Sequence, residues 1–417
     1  MTRRRIIPLL AVVAATLVVL FLYSNDDSRS AWSAIPQRVG FGDRIDDSTQ
    51  SSGSESAKTP TGAVKDPEYA NWNPRTEYKK GSPMPPGHNY TSTLVIAKTK
   101  EENVDWIKEK LPEQETSIYV ADDPTAPNHT PKNKGHEVMV YLSWIIDNYD
   151  KLPDIAIFMH AHQLAWHNDE LLGNDASLHV SRLSRQRVWR EGFVNMRCSW
   201  NPGCPDWMHP GVTEKNEFKQ EEHLLAKSWS ELFPLDEVPT VLAQPCCAQF
   251  ALSRERIQSK PYAQYVWYRD WLFNTRLPDN LSGRIWEYVW QFVFTGENVY
   301  CPKEFLCYCD QYGTCFGGEE EYEDFGVLKN KLGDRERDLR EWQEKKANID
   351  AAKESGDQAQ LDELGQLEEG KDEEYRKEVD RLRPLVDKLK HDAEIRGQDP
   401  KNRAKEAGRE WHEGDDF

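Results

Sequence analysis

Ile155-Ala156-Ile157-Phe158-Met159-His160-Ala161-His162 is an apolar run that breaks off on a pair of histidines. Five apolar residues in succession after Pro153 leave no polar face, so the run predicts a strand buried on both sides, with helices covering both faces of its sheet. Upstream, residues 136–149 carry Val138, Tyr141, Leu142, Ile145 and Ile146 at helical spacing, which predicts an amphipathic helix. Further upstream lie two short β-rich runs, Thr93-Leu94-Val95-Ile96-Ala97 and Ser117-Ile118-Tyr119-Val120, with a helical pattern between them over residues 104–111. Strand and helix alternate. The expected fold class is therefore α/β, with a mostly parallel sheet in a single three-layer domain.

That domain is read as residues 91–318, which hold 11 of the 15 tryptophans, many at helical spacing and so expected in the core. The chain has 53 basic and 71 acidic residues, a net charge of −18, which excludes a protein built to bind nucleic-acid phosphates. Residues 319–417 contribute 31 acidic and 20 basic residues, so most of the excess belongs to the end of the chain. There, Val379, Leu382, Val386 and Leu389 form only a brief apolar stripe broken by Pro384. A charged, acidic tail, partly helical or disordered, is expected.

At the other end, Arg3-Arg4-Arg5 precedes an apolar run over residues 6–23, long enough to cross a bilayer. Basic flanks stay cytoplasmic, so residues 1–5 read as cytoplasmic and 6–23 as a signal anchor. Residues 24–90 read as a disordered stem, with the bulk of the chain in the lumen of the endoplasmic reticulum or Golgi as a single-pass type II membrane protein. A cleaved signal peptide is the alternative. All eight cysteines fall between residues 198 and 315, which suits disulfides in an oxidising lumen. Cys198 and Cys204 flank the turn residues Asn201-Pro202-Gly203 and suggest a local loop; Cys301, Cys307, Cys309 and Cys315 are expected as disulfides rather than as a zinc cluster. Asn89, Asn128 and Asn280 each open a glycosylation sequon.

Ligands of open α/β sheets bind at the carboxyl edge, and four polar segments fall there. Asp122 and Asp123 follow the second strand and could contact a ribose or metal, or cap a turn. Lys134 and Glu137, in Asn133-Lys134-Gly135-His136-Glu137, open the long helix, where backbone N–H groups and a lysine could dock a diphosphate; the alternative is a plain helix cap. His160 and His162, two residues apart on a strand, could ligate one divalent cation such as manganese, completed by His167 or Asp169. Glu287 lies on an otherwise aromatic helix, in Ser282-Gly283-Arg284-Ile285-Trp286-Glu287-Tyr288-Val289-Trp290. Apolar surroundings raise a carboxylate's pKa toward what a general base needs, unless Arg284 pairs with it.

Gln244-Pro245-Cys246-Cys247-Ala248-Gln249-Phe250-Ala251-Leu252-Ser253, with the segments around Gly135, Asp147 and Glu287, resembles a mainly fungal family of domains of unknown function over residues 91–318. More distantly, the domain is similar to A-type nucleotide-sugar glycosyltransferases. That resemblance implies their single α/β domain with a metal-binding acidic triplet after a core strand; here His160-Ala161-His162 stands in the triplet's place. It also implies transfer of a sugar from a nucleotide donor to a glycan or protein hydroxyl. In that reading Asp122 and Asp123 contact the nucleotide, Lys134 the diphosphate, His160 and His162 the metal, and Glu287 takes the acceptor proton. The rivals are a non-catalytic lumenal binding module and a metal-dependent hydrolase built on the histidines.

Overall fold

The computed structural model describes residues 76–412, apart from positions 83 and 86. Five strands, β1 (Ser92–Lys98), β2 (Glu115–Val120), β3 (Ile155–His160), β4 (Phe193–Asn195) and β5 (Phe250–Ser253), form one sheet in the order β2-β1-β3-β5-β4. The pairs β1–β2 and β1–β3 are parallel, whereas β3–β5 and β5–β4 are antiparallel. The sheet is thus mixed, with the expected parallel arrangement confined to its first three strands.

Period-two alternation along β3 explains the three layers. Ile155, Ile157 and Met159 join a core containing Trp106 and Ile107 of α1 (Asp105–Lys110), while Ala156 and Phe158 join one containing Val138, Tyr141 and Ile145 of α2 (Glu137–Asn148). The crossover from β1 to β2 and the one from β2 back past β1 to β3 run in opposite directions across the sheet, and right-handed connections then put α1 and α2 on opposite faces. The carboxyl ends of β1 and β3 flank the switch point this creates.

Next come α3 (Ala176–Arg182) and α4 (Arg185–Glu191), then α5 (Leu225–Leu232) and α6 (Arg254–Gln258). The aromatic-rich α7 (Tyr262–Asn274), α8 (Asp279–Glu287) and α9 (Trp290–Thr295) cover α2, with Trp286, Trp290 and Phe294 fully buried against Tyr141 and Phe250. The helix α10 (Glu304–Tyr312) closes the opposite face.

The charged end of the chain is not a loose tail. It forms α11 (Glu319–Ser355), a short α12 (Gln358–Leu364), α13 (Lys371–Arg396), which runs through Pro384, and α14 (Pro400–Glu406). The helices α11 and α13 pack as an antiparallel hairpin, with Trp342 reaching Glu368, Arg335 reaching Tyr375 and Lys331 reaching Glu378, and the seam buries Leu332, Val379, Leu382 and Val386. The hairpin is docked: Phe325 packs on Phe316, Cys315 N–H donates to the Ala393 carbonyl (2.9 Å), and Arg409 reaches the buried Asp310 carboxylate (2.7 Å). Asp310 also receives Arg187 (2.6 Å) and Arg190 (2.5 Å), and these arginines hold its pKa down despite burial. Sparse apolar residues suffice because two helices share one narrow seam.

The end of the expected stem is ordered as well. Tyr78 O–H donates to the Val293 carbonyl (2.9 Å), and Trp189 Nε1–H to that of Ser82 (2.6 Å). The anchor, residues 6–23, and the stem up to residue 75 lie outside the described residues. Among the described residues no helix is long and apolar enough to cross a membrane.

Four disulfides account for all eight cysteines: Cys198–Cys307, Cys204–Cys301, Cys246–Cys247 and Cys309–Cys315. The expected Cys198–Cys204 loop is overturned. The turn at Asn201-Pro202-Gly203 forms, with Cys204 N–H donating to the Trp200 carbonyl (3.0 Å), but both cysteines pair with partners in residues 301–307.

Candidate functional site

A cavity of about 320 Å³ opens at the switch point, walled by Ala97 and Lys98 at the end of β1, Ala121 beyond β2, and His160 and Ala161 at the end of β3. Two carboxylates from different helices enter it: Glu137, the first residue of α2, and Glu287, the last of α8.

The backbone around Gly135 sets Glu137. Gly135 has φ of 75°, and a Cβ there would come within 2.7 Å of Leu272, so the turn requires glycine. Gly135 and His136 N–H both point at Asp279 Oδ1 (2.5 and 3.3 Å), and the His136 ring approaches the other oxygen (3.3 Å). The anion position at the start of α2 is therefore held by a carboxylate of the chain itself. Lys134 Nζ donates to the Leu277 carbonyl instead of facing the cavity. The expected diphosphate cradle at Lys134 is already occupied.

Glu137 is buried, with Oε1 lacking a hydrogen-bond partner. Burial first, then the Glu137 and Glu221 carboxylates, push the Glu287 carboxyl up to about 8, with Arg284 acting the other way. Arg284 forms its ion pair with Glu221 (3.3 Å), so the alternative of a Glu287–Arg284 pair gives way. Burial beside the Glu137 carboxylate therefore keeps a proton on Glu287 at neutral pH.

The histidines do not assemble a metal centre. The strand ends at His160, so the period-two rule that aligned His160 with His162 stops applying. His160 Nε2–H donates to the Cys247 carbonyl (2.9 Å), which fixes the ring. His162 is exposed and faces Glu102 (3.6 Å). The ring of His167 lies against that of His160 (centroids 4.7 Å apart) and outside the cavity wall, and burial lowers its pKa to about 4. Asp169 is wholly buried, accepting from Tyr308 O–H (2.7 Å), Cys198 N–H (2.9 Å) and Leu171 N–H (3.1 Å). Among the described residues, no three ligating atoms of these groups gather within 4.8 Å; the one group that does, Cys309, Cys315 and Glu406, has its sulfurs in a disulfide. The donor set does not fit a divalent cation.

Asp122 and Asp123 are turn residues. Asp122 accepts from Lys100 N–H (2.8 Å), while Asp123 accepts from Thr125 N–H and O–H (2.9 and 2.6 Å), and neither lines the cavity. Lys98, Glu102 and Asp279 line the cavity without having been singled out from the sequence, and Asn133 and His136, quoted there only as part of the helix-opening segment, line it as well. Asp279 carried a signal: an acidic residue after Pro278 opening a helix, as partner for the amides at Gly135. The sequon residues Asn89, Asn128 and Asn280 are all exposed.

No curated protein and no solved structure matches this chain. The model of a family described as "Protein of unknown function (DUF3431)" matches residues 94–310, from within β1 to α10. The matched segment is half of the chain and takes in most of β1, the other four strands, both carboxylates and the histidine pair; the chain belongs to the DUF3431 family.

Proposed function

We propose that this chain is a sugar-transferring enzyme of the secretory pathway, taking a sugar from a nucleotide donor to a hydroxyl of a glycan or protein. The observation that carries the reading is the Glu137–Glu287 pair inside the switch-point cavity, with Glu287 at about 8. The fraction of Glu287 that is ionised at neutral pH is a stronger base than an ordinary carboxylate and can take the proton of an attacking hydroxyl. The donor phosphates would be met by Lys98 and the histidines of the wall, not by Lys134 or a metal. The four disulfides suit a lumenal domain, and the charge asymmetry at residues 3–23 supports a type II anchor in the endoplasmic reticulum or Golgi.

A second reading, a non-catalytic lumenal binding module, is favoured by the structural use of Asp122, Asp123 and Lys134. Thermal shift with a panel of nucleotide sugars, with and without manganese, separates the two. Transfer requires a donor that raises the melting temperature without manganese, with Glu287→Gln retaining that shift and losing turnover. A wild-type protein that melts cooperatively and responds to no nucleotide sugar ends the transferase reading and leaves the binding module.

A further inference from the structure

A second, larger cavity of about 640 Å³ runs between α5 and α7, away from the carboxylate pair. The helical spacing of Trp267, Asp270, Trp271 and Asn274 puts all four on one face of α7, and all four line it. Trp267 is 52% exposed, although its Nε1–H donates to the Leu232 carbonyl (3.3 Å), so the indole is pinned by its edge with a face open to solvent. Trp271 is held in the same way by Glu231 (2.7 Å). A large exposed aromatic fixed in orientation is costly to hydrate and marks a binding surface.

The ionisable lining identifies the ligand. Lys227 and Arg276 stand against Glu231 and Asp270, two charges of each sign, and Lys227 and Glu231 already face one another at 3.8 Å. A wall that is charge-balanced, rich in donors and acceptors and floored by indole suits a neutral ligand with one apolar face and many hydroxyls. We propose that this groove binds an oligosaccharide, with a pyranose ring on Trp267 and its hydroxyls on Asp270, Asn274 and Arg276. The weakly positive C–H edge of a sugar ring complements the negative face of an indole. The cavity lies within the size range of ligand sites and holds more than one sugar unit.

The groove adjoins the carboxylate cavity through one short segment. Leu277 lines the groove and Asp279, two residues on, lines the other cavity. Lys134 on Leu277 and Gly135 on Asp279 fasten that segment to the start of α2. In the sugar-transfer reading, on which this part rests, the groove is the acceptor's outer subsite. Oligosaccharide binding itself does not depend on transfer.

The test is titration of the purified protein with neutral oligomers of mannose, glucose and galactose, followed by tryptophan emission and calorimetry. Loss of one stacked aromatic predicts that Trp267→Ala weakens binding about tenfold, that Trp267→Phe restores part of it, and that Asp270→Ala, which leaves the indole in place, weakens it less. Glu287→Gln should bind as wild type. The proposal is overturned if no oligomer binds at millimolar concentration, or if a folded Trp267→Ala and Asp270→Ala both bind unchanged. Oligosaccharide binding that needs Trp267, in a protein that ignores every nucleotide sugar, sustains the groove while removing transfer.

Discussion

Replacing Glu287 by glutamine keeps its shape and removes its charge, so the pair's electrostatics can be read from stability alone. The carboxyl moves from 4.5 to about 8 on folding. A group whose folded pKa is raised binds its proton more tightly in the folded protein. The stability it contributes is complete below 4.5 and is lost as pH rises through about 8. That interval, at about 1.36 kcal/mol per pKa unit, caps the loss at about 5 kcal/mol. Glu287→Gln carries no charge at any pH. It should match wild type in acid and become progressively more stable than wild type as pH rises from 4.5 to about 8, levelling off above that at about one to several kcal/mol up to the cap. Urea unfolding of both proteins across this range, with disulfides intact, gives the difference directly. A difference that stays flat with pH would show that Glu287 is not desolvated beside Glu137, and the argument for its role would fall with it.

Three further outcomes follow from the packing. Asp310→Asn leaves Arg187 buried without its carboxylate and should cost about 3–5 kcal/mol by denaturant unfolding, with the wild type losing this contribution as acid protonates Asp310 at its lowered pKa. Cys198→Ser should cost about 2–5 kcal/mol, and peptide mapping of the wild type should return Cys198 with Cys307 and Cys204 with Cys301; recovery of a Cys198–Cys204 peptide would contradict the structure. Deletion of residues 319–417 should lower the melting temperature and increase proteolysis near Phe316, because Phe325 and Arg409 leave with it; an unchanged melt would mean the hairpin is undocked in solution.

What the sequence revealed was local. The strand at residues 155–160 is an unbroken apolar run up to His160, the helix at 137–148 carries apolar residues at helical spacing, and the aromatic pattern around Trp271 and Trp286 reported core. What it hid depends on contacts between distant segments. Glu137 and Glu287 were each singled out, yet their meeting is decided by how α8 packs on α2. The cysteine partners follow from where residues 301–307 pass the turn at Pro202. Charge misled at the carboxyl end, where 51 of 99 residues are charged and the buried seam is only a few side chains wide. The histidines misled because a strand periodicity was extended past the residue where the strand stops.

The docking of Arg409 on Asp310 also sets a schedule. The two residues are 99 positions apart, and α10 leaves the ribosome long before its last arginine exists. At about 5–20 residues per second, that gap lasts about 5–20 seconds. During it, the sheet and α10 can assemble with Arg187 and Arg190 alone on the Asp310 carboxylate, while Phe316 and the face awaiting the hairpin are exposed to water. Docking of the hairpin is thus a late step in folding, and a chain cut short before α11 would leave the Phe316 face uncovered.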